Sequence, residues 1–131
     1  MGTQQILLII LGAIVVSIAI GLGISMVNDY NSSTNRDALA SDLEEAAGRA
    51  QAFFKMPISL AGGGGSFVGF DLHSIFRTLR TENGTYALEG APTDSALVIV
   101  ATGTNDGLDN LSKVKLRIKV MPARVELSVI N

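Results

Sequence analysis

The N-terminal part of the chain is an almost unbroken run of apolar residues. The run covers residues 6–27, and the first charged side chain of the sequence is Asp29. As an α-helix rising ~1.5 Å per residue, it would be about 33 Å long, enough to cross the ~30 Å hydrocarbon core of a bilayer. The pattern therefore predicts a hydrophobic helix at residues 1–28 that is able to span a membrane.

Small residues recur within this run at a spacing of four. They are Ala13, Ser17, Gly21 and Ser25, with Gly12, Ala19 and Gly23 beside them. Residues four apart lie on one side of a helix, and small side chains there let two helix backbones approach closely. We interpret Gly12, Ala13, Ser17, Gly21 and Ser25 as a helix-packing surface. The alternative is that small residues are simply common in single-span anchors.

A polar joint at residues 29–35 separates the apolar run from an amphipathic pattern at residues 36–56. Apolar residues there recur every three or four positions, and charged residues occupy the other faces, which is typical of a half-buried helix. Pro57 is predicted to end it. One continuous rod and two helices meeting at residues 28–35 both fit this pattern. The apolar positions are Leu39, Leu43, Ala46, Ala47, Ala50, Phe53 and Phe54.

Residues 57–131 change to the period of β-strands. Apolar and cationic residues alternate from Lys113 to Val120, and the alternation resumes at residues 125–129. This is the pattern of half-buried strands. Further strand candidates are residues 66–70, 76–82, 85–88 and 96–102.

Two details complete the predicted fold. Asn83 and Gly84 favour a type I′ turn that joins residues 76–82 to residues 85–88. Because an apolar helix face must be covered by another element, we expect an α+β fold. In it, the long hydrophobic-then-amphipathic N-terminal helix packs on a β domain, residues 57–131. This domain contains a small antiparallel sheet of about four strands.

Composition and motifs argue against catalysis. The chain has no cysteine and His73 is its one histidine, which leaves few side chains for nucleophilic or metal chemistry. Phosphate-loop, nucleophile-elbow and zinc-protease motifs are absent from the sequence. The glycines at residues 62–65 lack the lysine of a phosphate loop and are interpreted as a flexible connection. We therefore expect no catalytic residue, no cofactor and no metal, and a net charge of −2 gives no reason to expect nucleic acid.

Two polar groups leave alternatives open. Asn105, Asp106, Asp109 and Asn110 offer the oxygen ligands that calcium takes, but they lack the spacing and the bidentate Glu of a calcium loop, so a polar turn is the favoured interpretation.

The second group is the cationic stripe Lys113, Lys115, Arg117 and Lys119. Such a stripe is usually solvated and protects a sheet from aggregation. In an assembly it would instead face acidic residues of a neighbour, for which the candidates are Asp37, Asp42, Glu44 and Glu45.

Candidate modification sites lie directly after the apolar run. Asn31 begins an Asn-x-Ser/Thr sequence, and Ser32, Ser33 and Thr34 offer hydroxyl groups for O-linked sugars. Glycosylation at Asn31, Ser32, Ser33 or Thr34 is expected only if the chain is extracellular. Similar sequences at Asn83 and Asn110 are common enough to arise by chance.

This layout resembles that of type IV pilins and the related archaellin and pseudopilin subunits. The likeness lies in the apolar helix at residues 6–27, its strip of small residues, and the amphipathic helix and small sheet that follow. The sequence departs from the family at its start, since residues 1–5 carry no Lys or Arg and a cut after Gly2 would place Leu7 where the family has Glu.

The resemblance implies a structural subunit of an extracellular helical filament, a homopolymer whose hydrophobic helices form the filament core. Before assembly the same helix would hold the subunit in the inner membrane. Two alternatives are an extracytoplasmic β-domain anchored by a single span and a minor pseudopilin of a secretion or DNA-uptake system. The expected partners are further copies of the chain, the membrane and possible glycans.

Overall fold

The computed structural model describes residues 2–107, 109 and 111–131. In these residues the chain forms one α-helix and a four-stranded antiparallel sheet with the strand order β1-β2-β3-β4, which confirms the predicted α+β class. Short 3-10 turns lie at Ile58–Leu60 and Leu72–Ser74. The elements are α1 (Gly2–Lys55), β1 (Gly84–Leu88), β2 (Leu97–Asp106), β3 (Lys113–Val120) and β4 (Val125–Val129).

Helix α1 has no break in the polar residues 29–35, so one helix is found where the sequence left one or two open. The chain nevertheless divides into two compact units, one ending at Asn31 and one comprising Ser32–Asn131. We call the first the stem and the second the head.

The core of the head forms where the apolar face of α1 meets one face of the sheet. Leu39, Leu43, Ala46, Ala47 and Ala50 of α1 are at most 1% exposed, as the amphipathic pattern predicts. Alternate residues of the two central strands complete the core, each large one contributing roughly 1.5–3 kcal/mol by its burial. Those strand residues are Leu97, Ile99, Ala101, Val114, Leu116, Ile118 and Val120.

Strand β4 lies at the edge of this core. Val125, Leu127 and Val129 pair with core residues of β3 and so lie on the same face of the sheet. Their side chains remain 38–54% exposed. The reason is that β4 is the edge strand of the sheet, and a groove open to solvent separates it from α1. The alternation at residues 125–129 thus predicts the strand correctly, but it overestimates how deeply the apolar side chains of this strand are buried.

The glycines at residues 62–65 are a helix cap rather than a free connection. The backbone N–H of Gly63 donates to the carbonyl of Phe53 at 2.7 Å, and those of Gly64 and Gly65 donate to Met56 and Phe54 at 2.9 and 2.8 Å. Gly64 and Gly65 have positive φ, a backbone conformation that glycine adopts at little cost. The loop therefore satisfies the last carbonyl groups of α1.

Two strand predictions are wrong. Residues 66–70 form turns, because Phe67 and Phe70 are buried against the last turns of α1, with ring centroids 4.8 Å from Phe54 and 5.5 Å from Phe53, respectively. Residues 76–82 likewise form no strand beyond an isolated bridge between Arg80 and Thr85.

The predicted type I′ turn is also wrong, since Ala61 is the one non-glycine residue with positive φ in the described part of the chain and Gly84 has no positive φ. Asn83 and Gly84 instead make contacts with other elements of the head. The Asn83 side chain donates to Asp42 at 2.9 Å, and a Cβ on Gly84 would collide with the carbonyl of Thr102. These two residues thus serve contacts with α1 and β2 rather than a turn geometry.

Candidate assembly surfaces

The apolar part of the stem exposes large hydrophobic side chains along its whole length. Its large side chains between Ile6 and Val27 are all 51–71% exposed. By length and composition, α1 is the one helix in the described residues that could cross a membrane, a criterion that signal sequences and soluble core helices also meet. None of its most apolar window is buried within the chain, so this surface is free to contact lipid or protein.

The predicted helix-packing residues all lie exposed on the stem. A Cβ built on Gly12, Gly21 or Gly23 meets nothing within 4 Å, so no contact inside the chain requires glycine at these positions. The Ser17 hydroxyl donates to the carbonyl of Ala13 at 2.7 Å and is therefore satisfied within its own helix. The strip is exposed, and its role in packing stays a prediction.

Within the head, Asn35 joins α1 to strand β2 and to the residue that precedes β1. Its Oδ1 accepts from the backbone N–H groups of Thr104 and Asn105 at 3.2 and 3.3 Å, and its Nδ2 donates to the carbonyl of Asn83 at 2.8 Å. A Cβ on Gly103 would collide with Asn35 Oδ1, so glycine is needed for this close approach. Asn35 was not expected to hold the sheet; the signal for it is a polar residue one turn before a buried leucine.

Asp42 and Gln51 continue this set of polar contacts along α1. Asp42 Oδ2 accepts from the Tyr86 hydroxyl and from Asn83 Nδ2, and Gln51 Nε2 donates to the carbonyl of Met121 at 3.0 Å. Burial, together with the bond to Asp42, raises the pKa of Tyr86 well above its usual value. Asp42 is thus engaged within the head through its Oδ2 atom.

Half of the cationic stripe is paired within the chain. Lys113 contacts Asp106 at 2.9 Å and Arg117 contacts Glu89 at 2.6 Å, whereas Lys115 and Lys119 form no ion pair within the described residues. All four side chains are exposed, where such pairs contribute ~0–1 kcal/mol. The geometry favours a solvated surface.

Two of the candidate calcium ligands, Asp106 and Asp109, make contacts within the head. Asp109 accepts from the backbone N–H groups of Leu111 and Ser112, both at 3.0 Å, and these bonds hold its pKa below its usual value. Asp106 pairs with Lys113, and Asn110 lies outside the described residues. In the part of the chain that is described, no three His, Cys, Asp or Glu side chains gather as a metal site would require. The bonds made by Asp109 are those of a polar turn.

The candidate glycosylation sites differ in exposure. Asn31, Ser33 and Thr34 are exposed, whereas Ser32 is only 9% exposed. Modification at any of the four stays a prediction.

Comparisons with protein-family models, with curated proteins and with solved structures return no match for this chain. The class of protein therefore rests on the fold itself. A long apolar N-terminal helix followed by a small antiparallel sheet is compatible with a pilin-like fold. The apolar helix is suited to membrane insertion, as an anchor or as a signal.

Proposed function

We propose that this protein is the structural subunit of an extracellular helical filament, in which the stems of many copies pack together. The observation that carries the proposal is the exposure of every large apolar side chain between Ile6 and Val27. A continuous apolar surface of this kind does not remain in water, because each Å² withdrawn from water gains ~25 cal/mol. It requires lipid before assembly and other stems afterwards.

Magnitudes indicate which surface governs assembly. In an extracellular filament, releasing one stem into water would expose several hundred Å² of apolar surface. This opposes dissociation by roughly 10 kcal/mol or more before entropy is subtracted. The exposed lysines of the cationic stripe supply ~0–1 kcal/mol each and are screened by salt. The stem is therefore the main assembly surface, with self-association as the principal partnership and the membrane as the earlier environment.

The spacing of small residues supports a filament over a simple tether. A tether needs only apolar length, whereas Ala13, Ser17, Gly21 and Ser25 give one side of the stem a flat surface for another helix. A single-span anchor for the head is the alternative function. A minor pseudopilin shares the proposed fold and differs in the number of copies assembled.

Replacing Gly21 with leucine tests the proposal. A side chain at Gly21 meets nothing within its own chain, so Gly21→Leu should leave the head fold and membrane insertion intact. In a filament it would separate two helix backbones. We expect the yield of sheared filaments, measured by electron microscopy and gel densitometry, to fall by at least about tenfold, since 1.4 kcal/mol per contact corresponds to that factor.

Val15→Leu is the matched control. It adds apolar volume at an exposed stem position outside the strip of small residues, and we expect a filament yield within about twofold of the unmodified chain, since surface changes are usually small. Equal yields from Gly21→Leu and Val15→Leu would contradict packing through the strip.

A further inference from the structure

Two nitrogens of one guanidinium group in the head are buried without hydrogen-bond partners. Arg36 Nε and Nη2 are both buried, and neither has a partner in the described residues. These two nitrogens form one edge of the guanidinium, the edge that binds a carboxylate through two parallel N–H bonds. Leaving charged donors buried without an acceptor is costly, so the site lacks a group that the chain itself does not supply.

Ser32 adds a third unpartnered group on the same side of α1. Its Oγ is buried without a partner, and it lies one helical turn before Arg36. A serine in a helix commonly satisfies its hydroxyl on the carbonyl four residues earlier, as Ser17 does with Ala13. Ser32 does not, so its O–H group is available to a ligand that also reaches Arg36.

The chemistry of the missing group follows from these donors. Three donors without an acceptor call for a group that only accepts, and a planar pair of oxygens matches the Nε and Nη2 edge. An ionised carboxylate has both properties. Arg36 as a whole is only partly buried, so the site borders the surface, where a carboxylate of another molecule can reach it.

The chain contains carboxylates that also lack partners. Most of its acidic side chains accept hydrogen bonds or form ion pairs within the head. Those that do neither in the described residues are Asp29, Asp37, Glu44 and Glu82.

Asp29 is the one of these that lies in the stem, next to its apolar run. It follows Val27 by two residues, so stems that pack along residues 6–27 bring the Asp29 carboxylate next to neighbouring helices. An unpaired carboxylate there needs a cation, and Arg36 is the first Lys or Arg of the sequence, the next being Arg49. Asp29 and Arg36 are thus an unpaired anion and an unpaired cation that lie seven residues apart in every copy.

We infer that Arg36 and Ser32 form a carboxylate-binding site that is filled, in the assembled filament, by Asp29 of a neighbouring copy. This inference rests on the proposed filament function and deepens it. The apolar stems supply the main attraction, and the Asp29–Arg36 pair selects one register among the many that a smooth apolar surface allows.

Charge exchange in the full-length chain tests the inference. Asp29→Arg places two cations at the contact and Arg36→Asp places two anions there, so each alone should lower filament yield roughly tenfold or more. The double variant D29R/R36D should restore the yield. Co-expression of the two single variants should also restore it, because each chain then meets a neighbour of opposite charge.

The co-expression result is decisive, because it requires the pair to join different copies. Rescue by the double variant without rescue by co-expression would show a pair within one chain and overturn the inference. Rescue of Arg36→Asp by neither route, with a normal circular dichroism spectrum in detergent, would overturn it as well. If Arg36→Asp forms filaments in the same yield as the unmodified chain, the inferred site is overturned and the filament proposal stands. If the unmodified chain forms no filaments, both the inferred site and the filament proposal are overturned.

Two further variants guard against trivial explanations. Glu82→Arg changes an exposed, unpartnered carboxylate of the head by the same charge and should leave the yield unchanged. Arg36→Lys keeps the charge and loses the paired N–H edge, so an intermediate yield is expected and an unmodified yield would contradict two-bond recognition. Acetate at 0.1 M should not rescue Asp29→Arg; rescue by acetate would show that a free anion fills the site.

Discussion

The stem and the head use the same kind of helix in opposite ways. Large apolar residues of the stem between Ile6 and Val27 are 51–71% exposed, while Leu39 and Leu43 in the head are fully buried. The difference lies in what accompanies the apolar residues. In the head, Asn35, Asp42 and Gln51 of α1 form hydrogen bonds with the strands or with residues next to them, whereas residues 6–27 of the stem carry no charged side chain. A helix with polar partners beside its apolar face is completed within the chain, and one without them is left for another molecule.

The largest expected effect is the difference between two fragments of the chain, one that includes the part of α1 within the head and one that lacks it. Residues 32–131 retain the apolar face of α1 and should fold as a monomer with a cooperative urea transition. Residues 57–131 lose that face and expose Ile99, Leu116 and Ile118, so they should aggregate or show no transition. Circular dichroism and sedimentation of the two fragments measure this. A cooperative transition of equal midpoint in residues 57–131 would show that the helix is dispensable to the head.

A pair of leucines compares the two regions directly. Leu43→Ala removes a fully buried side chain and should lower the free energy of unfolding of the head by about 2–5 kcal/mol. Leu8→Ala removes a side chain that is 68% exposed and should leave that free energy unchanged within about 0.5 kcal/mol. Urea unfolding of the full-length chain in mild detergent, followed by near-ultraviolet circular dichroism, provides both values. Similar losses from both variants would contradict the separation of stem and head.

Tyr86 gives the smallest of these effects and the one that depends on pH. Tyr86→Phe removes the hydrogen bond to Asp42 and should lower the free energy of unfolding by about 1–3 kcal/mol at neutral pH. Because the folded state raises the pKa of Tyr86, its contribution is complete below the unfolded value of about 10 and is lost as pH rises above it. The unmodified head should therefore lose stability from about pH 10 upward, and Tyr86→Phe should lose less. Parallel alkaline curves for the two proteins would exclude this role of Tyr86.

Much of the fold could be predicted because periodicity reports which face of an element is buried. Alternation at Lys113–Val120 and the three-to-four spacing around Leu39 and Leu43 both correspond to buried faces in the structure. The wrong strand at residues 66–70 has a physical reason, since two phenylalanines at a helix end produce the same short apolar pattern as a strand. Local pattern does not distinguish these cases, because the packing partner is distant in sequence.

The polar contacts of the head were harder to predict than its core. Asn83 and Gly84 suggest a turn when considered with their neighbours alone, yet Asn83 contacts Asp42 of α1, 41 positions earlier in the chain. The glycines at residues 62–65 suggest flexibility, although their N–H groups cap α1. The predicted packing surface at Gly12, Ala13, Ser17, Gly21 and Ser25 concerns contacts between copies, which the fold of one chain does not test.

The most direct test of the account is where the apolar stem resides once the protein has assembled. Material sheared from cells that produce the chain should contain helical filaments, and a cryo-electron microscopy reconstruction should place residues 6–27 in a helical core with the heads outside. These filaments should withstand 1 M salt and dissociate in detergent, because apolar packing is not screened by ions. A chain found only in the membrane fraction as single copies would contradict the account and support the anchored-domain alternative.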